Sequence, residues 1–211
     1  LLKNNGDYKK AEISLKKAIE LKPNWSEGFN NIGTIQKDLG KLREAEISFK
    51  KAIQLDPNSI IGYANLGNML KTIGRVKEAK TLLIKTIEIN PEFVRPYFSL
   101  SRLKNESSDK KWQDYLFSEK FLNKKTDKEK VDIYFARSNL LHKEKRYRES
   151  AKNLQIANKL KLALHPSDCK LILKKSKLLL IETEKRKKIP NNQMSHLQNL
   201  FIVGMPRSGT T

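Results

Sequence analysis

The feature that most limits what this chain can fold into is a period. Gly6, Gly40 and Gly74 stand 34 residues apart, as do Tyr8, Leu42 and Val76, Ala11, Ala45 and Ala79, and Pro23, Pro57 and Pro91. Gly33 and Gly67 keep the same interval. Inside each interval the apolar residues follow helical spacing. Phe29, Ile32 and Gly33 share one face of a first helix, and Tyr63, Leu66 and Gly67 repeat it. A glycine there costs helix stability but lets a second helix approach closely. Ala45, Phe49 and Ala52 form the stripe of that second helix. Gly40 and Gly74 fall at the turn between helices, where a left-handed residue is wanted, and Pro57 closes the unit. A unit of this size buries its apolar face only by stacking on its neighbours. The period therefore predicts an all-α solenoid.

Helix–turn–helix units with a 34-residue period are the signature of tetratricopeptide repeats. The register predicts repeats over 1–104: a partial one at 1–25 lacking most of its first helix, full ones at 26–59 and 60–93, and a degenerate fourth from Val94. The missing helix predicts exposed apolar surface at the front, as in a fragment. Degenerate repeat-like helices are expected over 105–186. Trp112, Tyr115, Phe117, Phe121 and Leu122 predict one amphipathic helix in a polar, insertion-like stretch. Residues 129–163 predict a further helical pair, with Lys145 in place of the turn glycine, and 167–186 a last helix. Solenoids of this kind present a concave surface to partners. The first helices would line it with Asn30, Thr34 and Lys37, then Ala64, Asn68 and Lys71. Amide and ammonium groups there suit a peptide backbone or a carboxylate, and ordinary solvated helix positions are the equal alternative.

Composition narrows the rest. The 211 residues carry 43 Lys and Arg against 23 Asp and Glu, a net charge of +20. Residues 101–211 hold 26 of the basic and 12 of the acidic ones, so the excess sits in the second half. Such a charge first suggests an acidic partner. No nucleic-acid module or dense aromatic–basic interleaving accompanies it, so no specific nucleic acid is expected and most of the charge reads as solvated helix surface. Lys185 to Lys188 reads as part of a solvated linker, 187–199, before the chain's last segment. A single cysteine, Cys169, excludes a disulfide framework, and no metal site is expected. No apolar run is long enough for a membrane span, and no leader is visible, which predicts a cytoplasmic protein. His142, His165 and His196 are scattered and read as surface or packing residues.

The last twelve residues change character. Leu200 to Val203 is an apolar, β-favouring run that predicts a first buried strand. Gly204-Met205-Pro206-Arg207-Ser208-Gly209-Thr210-Thr211 follows it. A strand feeding a glycine-containing loop that ends in hydroxyls is the layout of a phosphate cradle. Gly204 and Gly209 have the spacing of a nucleoside-triphosphate loop, but Thr210 stands where that loop needs lysine. The cation inside the loop is Arg207 instead, suited to two-pronged contact with phosphate or sulfate oxygens.

Residues 201–211 resemble the 5′-phosphosulfate-binding loop of sulfotransferases that use 3′-phosphoadenylyl sulfate (PAPS), tyrosylprotein sulfotransferases among them. With the repeats upstream, the chain is similar to bacterial proteins in which a repeat array precedes that loop. The resemblance implies that Arg207, Ser208, Gly209, Thr210 and Thr211 bind the 5′-phosphosulfate, and that Arg207 stabilises charge on the bridging oxygen as the sulfuryl group leaves. It implies that 200–211 opens a truncated α/β, P-loop-like sulfotransferase domain, whose general base and 3′-phosphate site lie outside the chain. The chain itself would then be catalytically inactive, and its array would present a peptide, protein or glycan acceptor. The alternative is a repeat scaffold for protein–protein interaction without catalysis.

Overall fold

The computed structural model describes residues 5–103, 111–123 and 125–166, with side chains from Asp7 onward. Residues 1–157 form one compact unit and 158–211 a second, in which 158–166 are described. The helix expected at 167–186, the linker, the strand at 200–203 and the loop residues Arg207, Ser208, Gly209, Thr210 and Thr211 lie outside the described residues.

The described residues are helical throughout their regular structure: α1 (Asn5–Leu21), α2 (Ser26–Asp38), α3 (Leu42–Leu55), α4 (Ile60–Thr72), α5 (Val76–Ile89), α6 (Arg95–Ser101), α7 (Lys111–Phe117), α8 (Glu119–Leu122), α9 (Asp127–Lys143) and α10 (Tyr147–Leu164). Helices α2, α4, α6 and α9 are the first helices of successive repeats. They neighbour one another in that order, while α3 packs on α2 and α5 on α4.

The turns explain why the pairs form. At Gly40 (φ 78°) the amide of Lys41 donates to Gln36 O at 2.8 Å and that of Gly40 to Lys37 O at 3.0 Å. This pair of bonds satisfies the last carbonyls of α2 around a left-handed residue. Gly74 (φ 85°) does the same after α4, with Arg75 N donating to Leu70 O at 2.9 Å. After α9 the pattern recurs with Arg146 N donating to Leu141 O at 2.9 Å, and here Lys145 holds φ 61°. A side chain in that region costs about 1 kcal/mol, a penalty glycine avoids. Lys145→Gly is therefore expected to stabilise the array by about 1 kcal/mol, read as a higher urea midpoint. No change, or a lower midpoint, would show that Lys145 is held by something other than turn geometry.

Within each pair the small residue sets the distance between helices. A Cβ built at Gly33 would lie 2.8 Å from Phe49 Cδ1, and one at Gly67 would lie 3.0 Å from Leu83 Cγ. The same position holds Ser138 in α9. Its hydroxyl donates to Ser150 O at 3.1 Å, and Ser150 Oγ returns a bond to Ser138 O at 2.9 Å. One core joins Ala45, Phe49, Leu66, Met69, Leu70 and Ala79. A second begins at Leu83 and Ile87 and runs through Tyr97, Trp112, Phe121 and Ile133. The two cores meet across α5, so the degenerate repeats are packed like the regular ones.

Repeats are also pinned by ion pairs that recur with the period. Lys41 Nζ lies 2.8 Å from Glu12 Oε2, and 34 residues on Arg75 Nη1 lies 2.6 Å from Glu46 Oε2. The Lys41 ammonium holds the Glu12 carboxyl below the usual carboxylate range, and Lys50 with Arg75 does so for Glu46.

Two expectations need correction or detail. Residues 111–122 form two short helices rather than one amphipathic helix. Ser118 breaks the run by leaving the helical region and capping α8, its Oγ accepting from Phe121 N at 3.2 Å. In α1 the positions matching the fully buried Ala45, Phe49 and Ala52 are Ala11, Leu15 and Ala18, which are half-buried, and Ile13 is exposed.

Candidate functional site

In stacked helix pairs the first helices line the surface offered to partners. Their alignment comes from one matched aromatic in each: Phe29, Tyr63, Tyr97 and Tyr134, at intervals of 34, 34 and 37 residues. From these anchors the matched positions of α2, α4, α6 and α9 can be compared.

The face of these helices is stitched by side-chain hydrogen bonds between neighbours. Asn65 Nδ2 donates to Asn30 Oδ1 at 3.0 Å, joining α4 to α2. Ser99 Oγ donates to Asn68 Oδ1 at 2.6 Å, joining α6 to α4. Asn139 Nδ2 donates to Ser101 Oγ at 3.0 Å, joining α9 to α6. Each bond satisfies a polar group inside the stack, which would otherwise carry a desolvation cost.

The residues proposed from sequence divide accordingly. Asn30 and Ala64 are buried, so they serve helix packing and offer little to a partner. The spacing rule placed them on the right face but could not show that the adjoining helix covers them. Thr34 is half-buried, its hydroxyl donating to Asn30 O at 3.0 Å. Lys37 is exposed beside Asp38. Asn68 and Lys71 are half-buried, with Lys71 Nζ 3.3 Å from Asn68 Oδ1. Burial, reinforced by the charge of Arg102, pushes the Lys71 ammonium below its ordinary pKa. A cavity of about 300 Å³ opens among Lys37, Asn65, Asn68, Met69 and Thr72.

Repeats four and five contribute residues that the sequence reading missed. Phe98 on α6 and Phe135 on α9 are half-exposed neighbours, their ring centroids 6.4 Å apart. The Arg102 guanidinium lies 5.7 Å over the Phe98 ring. Lys143, at the end of α9, is exposed as a residue, but its ammonium donates to Leu103 O, and partial desolvation of that group pushes its pKa down. The signal that finds them is the aromatic anchor, since the 37-residue step shifts Phe135 and Asn139 out of the 34-residue register. His142 packs edge-on to the Tyr147 ring, 5.3 Å between centroids, and the His165 amide continues the helical ladder to Lys161 O. Among the described residues no group of three or more His, Cys, Asp or Glu could hold a metal ion. No described helix is long and apolar enough to cross a membrane.

Three tetratricopeptide-repeat family models match the sequence, at residues 1–24, 26–59 and 62–90. The chain carries tetratricopeptide repeats. Solved repeat structures agree in fold. A crystal structure of MamA is 22% identical with a TM-score of 0.59, over 77% of this chain and 93% of that one. Pseudomonas aeruginosa pilF is 18% identical with a TM-score of 0.58, over 86% and 79%. A tetratricopeptide repeat protein from Parabacteroides merdae is 22% identical with a TM-score of 0.59, over 86% and 70%. No curated protein sequence matches the chain. The tetratricopeptide models end at residue 90, so α6 to α10 join the array on packing and turn geometry.

Proposed function

We propose that this tetratricopeptide array is a scaffold that holds an extended segment of a protein partner along the face of its first helices. The observation that carries this reading is the continuous row of half-exposed polar and aromatic side chains across α2, α4, α6 and α9, from Thr34 through Asn68 and Phe98 to Asn139. The hydrogen bonds that stitch these helices fix the row in place, which lowers the ordering cost of binding. A selection of displayed peptides on the full chain tests it. Enriched peptides are expected to compete for one face and to lose binding to Thr72→Arg, on α4, while Thr81→Arg, on α5, leaves it intact. Loss with Thr81→Arg alone would move the site to the second helices.

A second reading rests on the loop sequence Gly204 to Thr211. Here the array belongs to a longer protein that transfers a sulfuryl group from PAPS to a hydroxyl acceptor. Arg207, Ser208, Gly209, Thr210 and Thr211 would hold the 5′-phosphosulfate, and the array would present the peptide, protein or glycan acceptor. The backbone amides of such a loop and the Arg207 guanidinium suit the charge of that group. Binding of 3′,5′-adenosine bisphosphate by the protein with its natural C-terminus, abolished in Arg207→Ala, supports this reading. No binding removes it.

A further inference from the structure

Several of the cations that join repeats are neutralised by carboxylates. Lys41 meets Glu12, Arg75 meets Glu46 and Glu78, and Lys125 meets Glu92 at 2.7 Å. Lys71 on α4 reaches Ser99 on α6, three residues before Arg102, and among the described residues neither Lys71 nor Arg102 pairs with a carboxylate. Lys71 is half-buried, and its ammonium has only neutral partners, Asn68 Oδ1 at 3.3 Å and Ser99 Oγ at 3.4 Å. A half-buried ammonium without a counter-charge is costly, and a second cation close by raises the cost. An anion supplied by a ligand would relieve both. Beside this pair lies apolar surface: Arg102 covers part of Phe98, and Phe98 faces Phe135. Positive charge next to an aromatic shelf is complementary to a carboxylate next to an apolar side chain.

We infer that the partner segment is an acidic–apolar peptide, whose carboxylate sits between Lys71 and Arg102 and whose apolar side chain rests on Phe98 and Phe135. The inference rests on the proposed use of this face and adds the chemistry of the occupant. Fluorescence anisotropy on the full chain tests it, with fluorescein-labelled dodecapeptides that alternate Glu-Leu-Glu-Phe. Replacing Glu by Gln in the peptide is expected to weaken binding at least tenfold, and replacing Leu and Phe by Ser at least fivefold. Arg102→Gln, at an exposed helix end where folding is not at stake, should weaken the acidic peptide about fivefold and leave the Gln peptide unchanged. Lys71→Met, checked for a native circular-dichroism melt, should do the same. Equal affinity for the Glu and Gln peptides overturns the inference, as does indifference to Arg102→Gln. So does stronger binding of a polyuridylate of equal charge. If the displayed-peptide selection still yields peptides that bind this face, the scaffold reading survives and the acidic–apolar chemistry falls.

Discussion

Tyr97→Ala is expected to destabilise the array by about 3–5 kcal/mol, the range for emptying a large aromatic site in a core. Tyr97 is fully buried and stands first among the largest such side chains. Its ring packs on Phe121, Trp112 and Tyr115, with centroids 4.6, 6.2 and 6.5 Å away. Its hydroxyl donates to Pro91 O at 2.9 Å. These contacts hold α7 and α8 against α6, so they carry the part of the array where the regular period fails. Tyr97→Phe keeps the ring and should lose about 1 kcal/mol, the net value of one hydrogen bond. Repeat arrays gain stability from each unit and from each interface between neighbours. The loss should therefore fall on α6 to α9 first. Amide hydrogen exchange is expected to show those helices opening in Tyr97→Ala while Ala45, Phe49 and Leu66 keep their protection. Uniform loss across α2 to α9 would mean that the two cores unfold as one. A loss below about 1 kcal/mol would mean that the site collapses without cost.

Arg137→Ala should cost about 3 kcal/mol for a different reason. Arg137 is buried in α9 at the position that Ile32, Leu66 and Leu100 occupy in the other first helices. Its Nε donates to Leu116 O at 2.9 Å and its Nη2 to Ser118 O at 3.1 Å. Those carbonyls sit at the break between α7 and α8, where the end of a helix leaves backbone acceptors in need of partners. The guanidinium also stacks 5.7 Å from the Phe117 and Tyr134 rings. Removing it leaves buried acceptors unsatisfied, each worth about 1–3 kcal/mol. Arg137→Lys should recover only part, because an ammonium lacks the planar fork that reaches both carbonyls. Hydrogen exchange over 111–122 is the readout. Unchanged protection there in Arg137→Ala would show that Ser118 and the aromatic packing hold the break without the guanidinium.

These two residues also show where sequence reading reaches and where it stops. The 34-residue period located the helix pairs because glycine at 40 and 74 and alanine at 45 and 79 meet steric demands that few other residues satisfy. The same demands are met differently later. Serine replaces the close-approach glycine at 101 and 138, Lys145 accepts a left-handed conformation, and Arg137 takes an apolar position by bonding backbone carbonyls. Each substitution is physically equivalent but breaks the written pattern, so the packing of α6 to α10 emerges only from the structure. The candidate surface was half legible for the same reason. Lys71 and Asn68 follow from spacing alone, whereas Phe98, Arg102 and Phe135 require knowing that α9 stacks on α6 despite the three extra residues. Asn30 and Ala64 were placed on the correct face but are covered by the neighbouring helix, a fact of packing between repeats that no single helix pattern contains. The loop at 204–211 is legible in sequence only, and its role stands on that resemblance.

The central claim, that the first helices carry the binding surface across all the packed repeats, is tested most directly by mapping amide chemical shifts in the full chain as a selected peptide is added. The largest shifts are expected in α2, α4, α6 and α9, including the amides of Lys71, Phe98 and Asn139. Shifts concentrated in α3, α5 and α7, with these amides unmoved, would contradict it.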